Sequence, residues 1–181
     1  MANAGITASF GAELLQIFAT EEQKQKYLPP LVRGDAVIGT AITEPDAGSD
    51  VTMATTSAVR DGDEYVINGS KMFITNGTIA NYLNVFCLTD PDNPDRHRRH
   101  SFFVVETDRP GYEANKLHGK LGIRANDTAE VSFSNLRIPA SNLVGKLGDG
   151  FKELMAFFNL TRLHICGMAV DPVNPEVVWA L

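Results

Sequence analysis

Two short segments hold most of the residue types that could do chemistry. The first, Thr43–Asp50, has the sequence TEPDAGSD and places the hydroxyls of Thr43 and Ser49 around Pro45 and Gly48. Proline turns the chain, and glycine lets the backbone approach another molecule closely. Such a loop presents amides and hydroxyls to the carbonyl and phosphate oxygens of a cofactor. An ordinary Asp/Gly/Ser turn between strands uses the same residues, so the pattern alone leaves both interpretations open.

The second segment, Gly69–Gly77, has the sequence GSKMFITNG. Phe73 and Thr75 are two residues apart, so in a strand their side chains point to the same face. An aromatic ring and a hydroxyl would then lie together at the end of a strand. The alternative is a plain hairpin strand whose Phe73 belongs to the core.

Other patterns of catalytic or binding residues are missing from the sequence. It has neither the glycine fingerprint of a dinucleotide-binding fold nor a phosphate-binding loop. His97 and His100 flank two arginines in a polar loop. A metal site needs three or four converging ligands, so we expect a solvated loop and no metal here.

Composition narrows the classes of partner. Sixteen Lys and Arg against 22 Asp and Glu give a net charge of −6. A negative chain is poorly suited to nucleic acid, whose binding requires a positive surface, so we expect no nucleic-acid partner. No stretch approaches the roughly 18 apolar residues of a membrane span. The first ten residues lack a basic region and an Arg-rich amphipathic pattern, so we expect no signal or transit peptide.

The elements that must position the two segments follow the order helix, strands, helix, which predicts an α+β, mainly β fold. Helical patterns lie within residues 1–28 and from Gly150 to about Val170, and the strand patterns lie between them, from Ala36 to Ile138. Short strands at hairpin spacing are typical of an antiparallel β-barrel or sandwich. The predicted strands are residues 36–43, 56–60, 64–67, 71–75, 82–88, 101–106, 112–116 and 129–138.

Several element boundaries can also be predicted. Thr20 and Gln23 form a capping box that begins a short helix. We expect this helix to end near Leu28, because Pro29 and Pro30 disfavour helical geometry before them. Asn68-Gly69 is typical of a second hairpin turn. The last helix is expected to begin after Asp149, to run to about Val170 and to be ended by Asp171–Pro175.

Taken together, these segments resemble the acyl-CoA dehydrogenase family. Thr43–Asp50 is similar to its TEPxAGSD signature and Asn68–Gly77 to its NGxKxxITNG motif, and the spacing between them also matches. Further similar segments follow in the family's order, at residues 22–31, 120–124, 137–139 and 150–152 and at Arg162. Such an ordered set, spanning about residues 8–170, argues against chance similarity.

The resemblance implies a domain layout. Residues 1–34 would be the end of an N-terminal helical domain, and residues 35–144 a middle β-domain that binds FAD and acyl-CoA. Residues 145–181 would be the truncated start of a C-terminal helical domain. Members of the family usually assemble as tetramers, which implies a homo-oligomer.

The resemblance also implies roles for individual residues. The segment Thr40–Ser49 would lie along the flavin, with Ile42 and Thr43 at its pyrimidine edge. Phe73 would pack against the isoalloxazine ring, and Thr75 would lie near flavin N5. The expected FAD contacts are Thr40, Ala41, Ile42, Thr43, Gly48, Ser49, Phe73, Ile74 and Thr75. The expected acyl-CoA contacts are Ser49, Asn159 and Arg162.

The implied reaction is α,β-dehydrogenation of an acyl-CoA thioester. A carboxylate base removes a proton from Cα, a hydride moves from Cβ to flavin N5, and the electrons pass to an electron-transferring flavoprotein. The base must lie near Cα, where the polarised thioester acidifies the proton. The implied compartment is a bacterial cytoplasm or a mitochondrial matrix.

The base is where this sequence departs from the family. Most members place a glutamate far downstream in the C-terminal domain, and a minority place one directly before the helix arginine, where this chain has Thr161. We therefore expect no catalytic base in this chain, and residues 171–181 also depart from the family's long helix, as in a truncated chain. The alternative is a non-catalytic flavin- or CoA-binding or interaction fragment, with Met155, Phe157 and Phe158 in an exposed patch.

Overall fold

The structure, a computed structural model, describes residues 10–170, apart from the side chains of residue 164 and residues 167–170. Two short helices, α1 (Ala12–Phe18) and α2 (Glu21–Arg33), precede the strands, and a long helix, α3 (Gly150–Val170), follows them. The predictions for residues 1–9 and for Asp171–Pro175 lie outside the described residues. Within residues 10–170, no helix combines the length and apolar character needed to cross a membrane.

In the described part of the chain, eight strands form one sheet, which does not close into a barrel. The strands are β1 (Ile38–Ala41), β2 (Ser57–Asp61), β3 (Glu64–Thr75), β4 (Tyr82–Leu88), β5 (His100–Glu106), β6 (Tyr112–Lys116), β7 (Thr128–Pro139) and β8 (Leu143–Val144). Their order is β6-β7-β3-β2-β4-β5-β8, and β1 pairs with β4 off this path. The prediction of a mainly β domain between helical segments is confirmed.

The sheet is mixed, although the hairpin spacing predicted an antiparallel one. β1 runs parallel to β4, with Ile38 opposite Tyr82 and Ala41 opposite Val85. A parallel pair needs a long crossover, and here the chain passes through the β2–β3 hairpin before returning as β4. Most other pairs, including β3–β7 and β4–β5, are antiparallel.

The sheet has an apolar cluster on each face. The first includes Tyr65, Phe103 and Val131. The second includes Phe102 of β5 together with Leu14 of α1, Tyr27 of α2 and Leu154 of α3. Since side chains alternate along a strand, neighbouring Phe102 and Phe103 serve opposite clusters, and β5 is buried on both faces because the helices cover one of them.

Helix α2 begins as predicted but extends beyond its predicted end. Thr20 Oγ1 accepts from the backbone N–H of Gln23, and Gln23 Oε1 accepts from that of Thr20, at 3.2 and 3.0 Å. The helix then continues through Pro29 and Pro30 to Arg33. Gly34, in the left-handed conformation at φ 77°, closes the last turn by donating to the carbonyls of Pro30 and Leu31. Tertiary packing and this C-cap therefore outweigh the local effect of two prolines.

The hairpin turn predicted at Asn68-Gly69 is absent, because β3 continues through both residues. Its pairing with β7 shifts register between Ile67 and Gly69, which marks an irregularity of the ladder. Gly69 has φ 140°, and a Cβ there would lie 2.7 Å from Thr56 Cα. Asn68 Oδ1 accepts from the N–H of Asn135 at 2.8 Å. Asn68-Gly69 therefore marks an irregularity of β3 that requires glycine, and the chain does not reverse its direction there.

His100 also differs from its prediction. His97 is exposed, but His100 is fully buried as the first residue of β5. Its ring stacks on Phe86 with centroids 4.6 Å apart, and Nε2 lies 2.9 Å from the carbonyl oxygen of Ala54. Pairing with a carbonyl and an aromatic face makes this polar ring compatible with the core. Among the described residues, no group of three or more His, Cys, Asp or Glu side chains could hold a metal ion.

We predict that Gly69→Ala destabilises the protein by about 2–4 kcal/mol, because it adds left-handed strain and a contact with the Thr56 backbone. Gly62→Ala is the matched control, since Gly62 also has a positive φ, 61°, but open space around it. That control should cost only about 1–2 kcal/mol. Urea unfolding of both variants tests this, and equal losses would contradict the proposed contact with Thr56.

Candidate functional site

A cavity of about 270 Å³ lies where the turn after β1, the end of β3 and the middle of α3 meet. Its lining residues come from the stretch 40–51, from the second motif segment, from Phe10 before α1 and from Phe158 in α3. They are Phe10, Thr40, Ile42, Thr43, Gly48, Ser49, Val51, Phe73, Ile74, Thr75 and Phe158. The fold thus brings the two segments singled out in the sequence to one place.

A buried ion pair joins the two segments behind the cavity. Lys71 Nζ lies 2.9 Å from Glu44 Oε1, and their side chains are 0% and 6% exposed. Lys71 Nζ also donates to the carbonyl oxygen of Ile42 at 2.9 Å. In addition, the N–H of Met72 donates to the carbonyl oxygen of Thr43 at 2.8 Å. The Lys71 side chain and the backbone bond from Met72 to Thr43 therefore hold the start of the turn against β3.

The Glu44 carboxylate is further satisfied by the chain that follows the turn. Oε2 accepts from the N–H and the hydroxyl of Thr55, and Oε1 accepts from the N–H of Thr56. Burial opposes ionisation, but the charge of Lys71 and these hydrogen bonds outweigh it and lower the Glu44 pKa from 4.5 to about 2. The stabilisation from ionised Glu44 is therefore complete above the ordinary carboxyl pKa and is lost only as the pH falls toward about 2.

Phe73 and Thr75 both line the cavity, as expected, but plain strand alternation does not place them there. A second register shift in the β3–β7 pair, between Lys71 and Ile74, interrupts the alternation. Phe73 adopts a left-handed φ of 62° and is 66% exposed, whereas Ile74 beside it is 2% exposed. A non-glycine residue in this conformation is strained, and such strain is concentrated at functional sites.

The cavity offers both an apolar surface and polar groups. Phe73, Phe158 and Val51 provide the apolar surface, and Thr43, Ser49 and Thr75 provide hydroxyls. Thr40 Oγ1 is buried without a hydrogen-bond partner among the described residues. A Cβ added to Gly48 would meet nothing within 4 Å, so there is room beside this turn. A flat, partly polar ring system fits such a surface.

Most of the predicted cofactor contacts meet at this cavity. All of them line it except Ala41, which is fully buried in the first core cluster. Of the predicted substrate contacts, Ser49 lines the cavity, whereas Asn159 and Arg162 lie beside it on the exposed face of α3. Arg162 donates to Asn159 Oδ1 at 3.1 Å, and its guanidinium lies 5.8 Å from the ring centroid of Phe158. Arg162 is therefore close to one lining residue of the cavity, Phe158, and Asn159 is its hydrogen-bond partner.

Five other residues at this site were not predicted as site residues. Phe10, Val51 and Phe158 line the cavity, and Glu44 and Lys71 hold its wall. Lys71 did carry a signal, since a lysine lies within the apolar second motif and a carboxylate within the first. Phe158 was expected in an exposed patch with Met155 and Phe157, but Phe157 is fully buried and meets Phe10 edge-on at 5.4 Å. Met155 and Phe158 are partly buried.

No carboxylate lines the cavity within the described part of the chain. Thr161, which stands where some family members have the base, is 3% exposed, and its hydroxyl donates to the carbonyl oxygen of Phe158 at 3.3 Å. Glu44, a carboxylate of the first motif, is paired with Lys71. The described lining residues of this cavity provide apolar side chains, hydroxyls and backbone groups, and none of them is a carboxylate or an imidazole.

The fold and cavity define a ligand-binding β-domain between helical segments, and comparison with known proteins gives its family. Residues 39–136 match the acyl-CoA dehydrogenase middle domain, and residues 2–35 match the N-terminal domain of the same family. The chain belongs to the acyl-CoA dehydrogenase family.

Relatives and solved structures agree with this assignment. An acyl-CoA dehydrogenase of Bacillus subtilis is 42% identical over 165 residues, which are 91% of this chain and 43% of the relative. The crystal structure of an acyl-CoA dehydrogenase from Geobacillus kaustophilus superposes with a TM-score of 0.85 at 43% identity, covering 90% of this chain and 43% of that one. A glutaryl-CoA dehydrogenase of Mycobacterium smegmatis in complex with FADH2 gives 0.76 at 37% identity, covering 86% and 38%. The chain thus spans less than half the length of these proteins.

We predict that Lys71→Met destabilises the protein by about 3–5 kcal/mol, because it leaves the Glu44 carboxylate buried without its cation. Lys24→Met is the control, since Lys24 forms an exposed pair with Glu21 at 2.9 Å and should cost less than about 1 kcal/mol. Chemical denaturation measures both. If the Lys71 variant unfolds at the wild-type midpoint, the buried pair does not hold the two segments together.

Proposed function

We propose that this chain forms the flavin- and acyl-CoA-binding part of an acyl-CoA dehydrogenase. The cofactor is FAD, and the substrate is an acyl-CoA thioester that undergoes α,β-dehydrogenation. The observation that carries the proposal is the meeting of both family motifs at one cavity, which has exposed Phe73 and the hydroxyls of Thr43, Ser49 and Thr75 on its walls. This combination suits a flat ring with hydrogen-bonding edges.

The residues present fit FAD in a specific way. Phe73 offers its ring for stacking, and Thr43 and Thr75 offer hydrogen bonds to the polar edge of the ring system. The Thr40 hydroxyl, which is buried and has no hydrogen-bond partner within residues 10–170, is a further group that a bound ligand would satisfy. When bound, FAD supplies the acceptor for a hydride from the substrate's Cβ.

The chain's own contribution to the reaction is binding and orientation. Ser49 lies on the turn that we assign to both ligands. Arg162, close to the ring of Phe158, and its partner Asn159 would contact the CoA moiety. The buried wall of Glu44 and Lys71 fixes the turn, so that its donors are already oriented before a ligand arrives. Preorganised donors of this kind cost little reorganisation when the ligand binds.

The wider setting is also part of the proposal. By the family resemblance, an electron-transferring flavoprotein accepts the electrons, and the chain functions as part of a homo-oligomer. Relatives occur in both bacteria and mitochondria, which agrees with a bacterial cytoplasm or a mitochondrial matrix. The proton-removing carboxylate is not among the described lining residues, so this chain by itself binds ligands and leaves catalysis to the complete active site.

We predict that Phe73→Ala weakens FAD binding about tenfold, because stacking of an aromatic pair contributes up to about 1.5 kcal/mol. The fold should remain stable, since Phe73 is 66% exposed. Phe73→Trp should bind FAD as tightly as wild type, and Val59→Ala, at another exposed apolar residue, should leave binding unchanged. Flavin absorption or fluorescence titration of the pure chain measures the affinities. Equal binding by the Phe73→Ala variant would place the ring elsewhere.

We also predict that the pure 181-residue chain reduces an electron-accepting dye in the presence of acyl-CoA at less than about 1% of the rate of a full-length relative, since removing a general base costs 10²–10⁴-fold. A full-length family enzyme assayed under the same conditions is the positive control. Binding of FAD without turnover supports the proposal that this chain binds the ligands but does not supply the catalytic base. Turnover near that of the control would show that this chain does contain a base.

A further inference from the structure

One turn of the β4–β5 connection contacts two segments whose neighbouring residues line the cavity. This segment, called here the basic turn, is Asp95–Arg98, and its last three residues form a single turn of 3₁₀-helix. Asp95 caps it, since Oδ1 accepts from the N–H of His97 at 2.9 Å and the Asp95 carbonyl accepts from the N–H of Arg98 at 2.9 Å. A capped turn holds its neighbouring side chains in a fixed relative position.

The first arm of the basic turn is Arg96, which reaches the turn that carries Gly48 and Ser49. Arg96 Nη2 donates to both carboxylate oxygens of Asp50, at 3.1 and 2.9 Å, across 46 positions of sequence. Asp50 directly follows Ser49, which lines the cavity. Asp50 also accepts from the N–H and the hydroxyl of Thr52, and these bonds together with Arg96 lower its pKa.

The second arm reaches the start of α3. Arg98 Nη1 donates to Asp149 Oδ1 at 2.6 Å, across 51 positions. Asp149 directly precedes α3, and Phe158 of the same helix lines the cavity. The ring of His97 adds a contact with Phe151 in the first turn of that helix, with centroids 4.3 Å apart. Arg96 therefore contacts one element, and His97 and Arg98 contact another that is far from it in sequence.

We propose that Arg96 and Arg98 are positioning residues that set the separation of two walls of the ligand cavity, namely the turn that carries Ser49 and helix α3. The inference rests on the proposed flavin-binding function, because its consequence is tighter binding of the ligand that lies between the walls. Neither arginine lines the cavity, so each acts through its carboxylate partner. Both pairs are partly exposed, with Arg96 and Asp50 55% and 48% exposed, so each contributes modestly and is screened by salt.

The chain contains a matched control for the first arm. Arg137 donates to Asp61 at 2.8 Å and to Glu64 at 2.9 Å and is 51% exposed, close to the exposure of Arg96. Its partners lie on the β2–β3 hairpin, and none of them lines the cavity. Arg137→Ala therefore removes the same charge and a similar set of bonds without touching either wall.

The first test needs no ligand and uses amide hydrogen exchange of the 181-residue chain. Arg96→Ala should speed exchange at the amides of Thr52 and Met53, which bond to Asp50, and Arg98→Ala should speed it in the first turn of α3. Arg137→Ala should change neither region. If Arg96→Ala and Arg98→Ala both leave the exchange rates of these amides unchanged, the proposal is overturned, whether or not the chain binds flavin.

The second test measures FAD affinity. Arg96→Ala should raise the dissociation constant about fivefold and Arg137→Ala should not, with thermal stability equal in the two. Arg96→Lys, which keeps the positive charge opposite Asp50, should recover most of the loss, whereas Arg96→Met, which keeps only the apolar stem, should not. Raising the salt concentration should weaken binding by the wild type more than by the Arg96→Ala variant.

The two proposals fail in different ways. If the wild type binds no FAD, the proposed function fails, while exchange still decides whether the basic turn holds the walls. If the wild type binds FAD and Arg96→Ala binds it equally well with and without salt, the positioning role fails and the proposed function stands.

Discussion

The buried pair between Lys71 and Glu44 is the constraint on which the cavity depends. A lysine without solvent exposure needs a counter-charge, and a buried carboxylate needs donors for both of its oxygens. Glu44 obtains them from Lys71, Thr55 and Thr56, and these partners lie on both sides of the turn that carries Gly48 and Ser49. Glu44 stands at the start of the turn and accepts hydrogen bonds from Thr55 and Thr56 beyond its end. The ion pair of the same carboxylate with Lys71 fixes the position of the turn relative to β3. A loop anchored in this way keeps its shape when it is open to solvent.

The backbone of β3 allows one strand to supply side chains to both the core and the ligand cavity. Strict alternation would give every second residue to the same face. Two irregularities in the β3–β7 ladder interrupt this pattern, one at Gly69 beside Thr56 and one at Phe73. The second lets Ile74 enter the core while Phe73 turns outward into the cavity. Left-handed Phe73 is strained, and the strand pairing around it, with Lys71 opposite Val131 and Ile74 opposite Ala129, holds the strain in place.

The helices matter to the site as well as to the core. They cover one face of the sheet, and Phe10 and Phe158 from the two ends of the described chain complete the cavity wall. The cavity therefore belongs to no single domain of the family, although the middle domain supplies most of its polar groups. Contacts from the β4–β5 connection to both the turn and α3 are consistent with this shared construction. The result is a binding surface assembled by side chains that lie far apart in sequence.

The sequence by itself determined the family, the mainly β class, most strand ranges and most of the residues that line the cavity. It could do so because these are local properties: period-two patterns, turn residues and contiguous motifs. Tertiary structure decided the rest, because the remaining choices depend on groups distant in sequence. The parallel β1–β4 pair, the extension of α2 through Pro29 and Pro30, and the burial of His100 each reverse a local preference. Lys71 is the clearest case, because a lysine in a strand is ordinarily solvent-exposed, and only the folded chain brings Glu44 close enough for its burial to be stable.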